Sequence, residues 1–183
     1  NFSGLPEGGL FVVDDKLFSI SYVAGNGNDV ALTFVGSSII HVDASVTAGG
    51  DGQSWVTAFD NIQDELTVAV SGMKIWVAQG VYYPIVVATP VDVDRMATFT
   101  LIDGVSIYGG FNGTETDVNE RNPEINITVL SGDIDENDIN DDGNYIAGNI
   151  ADIIGDNSYN ILIGSNVDTN TMLDGFTITA GNA

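Results

Sequence analysis

Apolar residues recur in this chain at two different periods, and the change of period divides it. Over residues 1–35 the period is two: Leu10 and Val12, then Phe18, Ile20 and Tyr22, then Val30, Leu32 and Phe34. Such alternation sets one strand face on a core and the other in water, so it predicts a small β-meander. Asp14-Asp15-Lys16 and Gly25-Asn26-Gly27-Asn28 supply its turns, and Gly36-Ser37-Ser38 reads as a linker. From Trp55 the period lengthens. Trp55, Phe59, Ile62, Leu66 and Ala69 fall three to four residues apart, while Asp60, Asp64 and Glu65 sit elsewhere. That spacing predicts one amphipathic helix over 55–70, capped by Ser54 and stopped by Ser71-Gly72. Short apolar strands then return at 74–78, 97–101, 105–108, 127–130, 160–163 and 176–179.

Two of these strands share a phrase. Residues 103–110 read D-G-V-S-I-Y-G-G and residues 174–181 read D-G-F-T-I-T-A-G. Each is a turn, a short strand and a second glycine. A strand so short buries its inner face only by stacking on others like it, and the spacing fits about three coils of roughly 20–30 residues each. The expected fold is therefore all-β: a β-solenoid with an N-terminal capping α-helix, preceded by a small β-meander. The expected boundary leaves 1–38 as the end of a preceding β-rich module plus linker, and 39–183 as the N-terminal part of a β-helix domain. On this reading helix 55–70 is a lid over apolar strand edges. The chain is expected to be a segment of a longer protein with both ends missing.

Charge changes the picture most. Against 26 acidic residues stand only 4 basic ones, a net charge of −22. Such a chain lacks the Lys and Arg that hold phosphates, so nucleic acid is excluded as a partner, and anionic membrane surfaces repel it. No run reaches membrane-spanning length, so no membrane insertion is expected. No basic and apolar leader opens the chain at Asn1. There are no cysteines, so disulfides say nothing about compartment. Strong acidity with few cations suits a protein bathed in salt and divalent ions.

The string Gly49-Gly50-Asp51-Gly52-Gln53-Ser54-Trp55, the predicted helix, and Ile75-Trp76-Val77-Ala78-Gln79-Gly80-Val81-Tyr82 resemble the opening of a bacterial right-handed parallel β-helix domain of the pectate-lyase-like superfamily, and the resemblance implies that the solenoid is a right-handed parallel β-helix. Phe99-Thr100-Leu101, the phrase at 103–110 with Phe111, Leu130-Ser131-Gly132-Asp133 and Leu173–Thr179 continue the resemblance over 39–183. Residues 1–35 resemble the closing strands of repeat modules in the same kind of protein. The resemblance implies a large secreted or cell-surface bacterial protein. It implies no activity, because that fold carries lyases, hydrolases, adhesins and spacers alike.

The candidate chemistry is sparse. The stretch 133–144 holds eight Asp or Asn and one Glu in twelve residues. Asp133, Asp135, Asn137, Asp138, Asp141 and Asp142 are the candidate ligands of a Ca²⁺ ion, which takes six to eight oxygens. The stretch is no EF-hand, since its sixth position is Asp138 and its twelfth Asn144; the competing reading is a solvated acidic loop. Gly25-Asn26-Gly27-Asn28-Asp29 matches one calcium nonapeptide, a motif that works in tandem, so a hairpin turn is the better reading. The resemblance implies an Arg or Lys as the base of a lyase, and Lys16, Lys74, Arg95 and Arg121 are the candidates. Asp92 and Asp94 are the nearest approach to the paired carboxylates of an inverting hydrolase. His41 lies in an apolar strand and reads as structural. No catalytic residue and no cofactor beyond Ca²⁺ is assigned. The expected function is a non-enzymatic structural or adhesive segment of a large extracellular bacterial surface protein. Its partners are other segments of that protein, copies of itself, or a glycan or other cell-surface ligand. The alternative is the non-catalytic start of a β-helix polysaccharide lyase or glycoside hydrolase.

Overall fold

The computed structural model describes residues 2–84 and 94–182. The alternating apolar positions at its beginning form β1 (Leu10–Val13), β2 (Lys16–Ala24) and β3 (Asp29–Ser37), an antiparallel sheet in that order. Asp14 and Asp15 both take positive φ, 48° and 57°, which closes a two-residue turn whose twist matches that of the strands. Phe11 stacks on Phe18 and Phe18 meets Phe34 edge-on, with ring centroids 5.9 and 5.8 Å apart. This aromatic row fixes which strand faces lie together.

The remaining elements are β4 (Ile39–Val42), α1 (Ile62–Leu66), β5 (Lys74–Ala78), β6 (Gly80–Tyr82), β7 (Phe99–Thr100), β8 (Ser106–Phe111), β9 (Thr128–Ser131), β10 (Leu162–Ile163), β11 (Met172–Asp174) and β12 (Thr177–Thr179). They pair in parallel as β4–β5–β8–β11, β6–β9–β12 and β7–β10. In the four-stranded sheet Ile40, Ile75, Ile107 and Leu173 lie side by side on one face. Val42, Ile75, Val77 and Ile107 there meet Tyr82, Phe99 and Leu130 from the other two parallel sheets in one buried cluster. Near-continuous apolar runs such as Ile75-Trp76-Val77-Ala78 fit strands covered on both faces. His41, Trp76, Tyr108 and Asp174 form the row on the opposite face.

The expected solenoid is not found. Among the described residues the strands fall into four small separate sheets of three, two, four and three strands, mixing antiparallel and parallel pairing. The break between β5 and β6 shows why they separate. Gln79 donates to the Phe111 carbonyl (2.6 Å) and Gly80, at φ 148°, turns the chain to donate to Ile127 (3.0 Å). Hence β5 pairs with β8 but β6 pairs with β9. The strands of the two phrases do not stack on each other either. The strand of the first copy, β8, pairs with β11, whereas that of the second, β12, pairs with β9 in another sheet.

The capping helix over 55–70 is also overturned. Trp55–Thr57 is a single 3₁₀ turn, and α1 keeps only five residues. Between them the backbone has a better use. His41 accepts from the Phe59 N–H (3.0 Å) and Phe59 accepts from the Asp43 N–H (2.8 Å), so Phe59 pairs alongside Val42 and covers the free edge of β4. A helical Phe59 would leave that edge unpaired. Trp55 then lies on the far side of the sheet from the apolar cluster. It packs on His41 (4.6 Å) and Phe111 (5.5 Å) and donates its Nε1–H to the Glu115 carbonyl (2.9 Å). Val56 is 90% exposed. The linker expected at 36–38 is integral: Gly36 and Ser37 belong to β3, and Ser38 is fully buried, donating to Asp15 and accepting from Lys74.

Candidate functional site

The acidic stretch leaves β9 through Gly132 and folds back on itself by hydrogen bonds that its own carboxylates accept. Asp133 is only 7% exposed. Its two carboxylate oxygens accept the backbone N–H groups of Asn137 (3.0 Å) and Asp138 (3.1 Å). Asp138 accepts from the Ile154 N–H (2.7 Å) and from Asn157 Nδ2 (2.9 Å), which ties the two ends of the loop together. Asp135 accepts from the Asp156 N–H and from Asn137 Nδ2 (2.6 Å). Asp142 accepts from the N–H and Nδ2 of Asn144. The abundance of Asp and Asn here thus has a local cause, since these side chains satisfy nearby amides that no ladder reaches.

This folding divides the six candidate ligands. Asp133 and Asp138 line a cavity of about 190 Å³ together with Glu136, Tyr83 and Tyr145. Asp141 and Asp142 line a different one of about 220 Å³, beside Asp152. Asp135 and Asn137 line neither and bond to one another. No group of three His, Cys, Asp or Glu side chains suited to a metal ion occurs among the described residues.

Sequence reasoning missed the two tyrosines. Tyr83, Glu136 and Tyr145 also border a second cavity of about 360 Å³, whose floor is Val81, Ile127 and Val129. The two cavities therefore form one cleft with a shared tyrosine and carboxylate wall. Tyr145 is 55% exposed and takes a positive φ of 61°, held by its N–H on Asn140 Oδ1 (3.0 Å). Burial raises the Tyr83 hydroxyl to about 12, with Glu136, Asp133, Tyr145 and Asp138 adding to the rise. Burial also holds the Asp133 carboxyl above its ordinary value; its two N–H bonds oppose this, and the negative charges of Asp138 and Asp135 add to it. Tyr145 closes the acidic run in sequence, which is a usable signal; Tyr83 lies far away along the chain and carries none.

Three of the four candidate lyase bases are engaged in the fold. Lys74 pairs with Asp15 (2.6 Å). Arg95 donates to the Asn157 carbonyl (2.8 Å) and the Asn182 carbonyl (2.6 Å), with its guanidinium 4.2 Å from the Tyr159 ring centre. Arg121 pairs with Asp174 and donates to Gly109 (3.1 Å). Lys16 opens β2. Asp92 lies outside the described residues, and Asp94 opens a 3₁₀ turn. His41 is held between Trp55 and Trp76, with its Nδ1 3.0 Å from the Gly52 carbonyl, and burial lowers its pKa. No known protein family, curated protein or solved structure matches this chain.

Proposed function

We propose that this chain is a non-enzymatic structural and adhesive segment of a large extracellular bacterial surface protein. One observation carries the reading. Three of the four basic side chains, the candidate bases for uronate chemistry, are held by Asp15, Asp174 or backbone carbonyls. What remains is a charged, loop-covered set of small sheets, suited to presenting surface. Its partners in this reading are neighbouring segments of the parent protein, further copies, or a cell-surface ligand. The net charge of −22 argues against nucleic acid. No helix among the described residues is long and apolar enough to cross a membrane. Incubation with pectin, alginate and neutral glycans is expected to give no turnover. Turnover abolished by Lys74→Ala or Asp92→Asn would overturn the non-enzymatic reading.

Calcium enters the same reading as a stabiliser of the loop 133–144. Each carboxylate oxygen that accepts one N–H keeps a second lone pair for a cation. The loop's repelling charges supply the driving force. At extracellular affinities of ~0.1–1 mM, 10 mM Ca²⁺ is expected to stabilise the folded chain by about 1–3 kcal/mol. Melting is compared in calcium and in chelator, for the wild type and for Asp133→Asn/Asp135→Asn. Identical melting in all four conditions removes calcium from the reading.

A further inference from the structure

We propose that the Tyr83–Tyr145 cleft binds a lysine or arginine side chain presented by a protein partner. The site joins two kinds of wall that such a side chain needs. At one end Glu136 lines the cavity with the two tyrosines, beside Asp133 and Asp138, whose oxygens already accept the loop's own N–H groups. At the other Val81, Ile127 and Val129 supply an apolar floor. A cationic head over aromatic rings and an aliphatic stem along apolar surface is how these side chains are held elsewhere in proteins.

The chain applies the same chemistry to its own cations. Arg95 sits 4.2 Å from the centre of the Tyr159 ring. Arg121 sits 5.2 Å from that of Tyr108 while pairing with Asp174. The cleft offers the tyrosine and carboxylate combination that Arg121 uses, yet none of the four basic residues lines it. Burial raises the Tyr83 hydroxyl, and Glu136, Asp133 and Asp138 add to the rise, so their negative charge is felt at the cleft wall. A divalent ion is satisfied by oxygens alone and has no use for two rings and an aliphatic floor; an amphipathic cation uses all three. The site shares Asp133 and Asp138 with the calcium reading, and the calcium arm of the test below separates the two.

The test is a titration followed by amide chemical shifts of the whole chain. The probes are a ten-residue neutral peptide carrying one lysine, the same peptide with norleucine in its place, cadaverine, and CaCl₂. The lysine peptide is expected to shift residues around 83 and 145 saturably, with a Kd on the order of a millimolar, as a few exposed cation contacts allow. Raising the salt concentration is expected to weaken it. Tyr145→Leu, which keeps apolar bulk at an exposed site, and Glu136→Gln are each expected to weaken it at least fivefold while distant shifts stay unchanged. Equal binding of the norleucine peptide overturns the proposal, as does unchanged affinity in Tyr145→Leu. Saturation by CaCl₂ without any response to lysine makes the cleft an inorganic cation site. Binding of cadaverine but not of the peptide makes it a site for free amines.

Discussion

Leu66→Ala is expected to destabilise the chain by about 2–5 kcal/mol, the range for truncating a buried leucine. Leu66 lies on the inner face of the short helix α1, one turn after Ile62, and both are buried in the cluster with Phe99 and Leu130. The void remaining beside them is only about 10 Å³. Neighbours packed that closely on short paired strands collapse little into a new cavity, so the cavity adds its own cost to the lost burial. For a chain of this length each kcal/mol lowers Tm by about 2–4 °C, so a drop of roughly 5–15 °C should be seen. A loss below about 0.5 kcal/mol, as at an exposed site, would show that the face of α1 is not packed.

Its neighbour predicts the opposite sign. Glu65→Met is expected to stabilise the chain at pH 8 and to have little effect at pH 4. Glu65 is 1% exposed, and neither carboxylate oxygen has a hydrogen-bond partner. Burial alone pushes its carboxyl up from 4.5 to about 7. An acid whose pKa is raised by folding binds its proton more tightly in the folded state. Its penalty is therefore absent below about pH 4.5, grows as the pH rises to about 7 and stays full above that. A rise of that size corresponds to about 3 kcal/mol at pH 8. Methionine is similar in length and has no charge to desolvate. The other acidic residues titrate in both proteins, so the difference between variant and wild type isolates Glu65. Denaturant melts of both proteins from pH 4 to pH 8 measure that difference. A constant difference across this range would show that the carboxylate reaches water or a cation.

Leu66 and Glu65 also show why the helix period misled. Positions 62 and 66 carry a true helical spacing, and the structure has a helical turn there. Trp55 and Phe59 continue the same spacing by coincidence. Both serve the sheet: Phe59 by pairing beside Val42, and Trp55 by stacking on His41 and Phe111 on its far face. Periodicity records which residues prefer burial, and a residue can be buried against either side of a sheet. Glu65 breaks the pattern from the other direction, since a charge at a helical offset from the apolar stripe reads as solvent-facing, yet it is enclosed.

The sequence by itself determined the short apolar strands, the antiparallel β1–β3 unit and the turns between them, because these depend on contacts between near neighbours. Alternation selects a strand face, and residues such as Asp14 and Asp15 tolerate the positive φ that a tight turn demands. It also determined that residues 133–144 form a loop dense in carboxylates. Only the tertiary structure decided which strands pair. The two copies of the repeated phrase carry nearly the same local code but end in different sheets, because their partners, β11 and β9, are brought to them by the path of the whole chain. The cleft was decided in the same way. Tyr83 and Tyr145 share a wall because the chain turns at Gly80 and the acidic loop folds back from Gly132, and pairing across such separations leaves no local pattern to read.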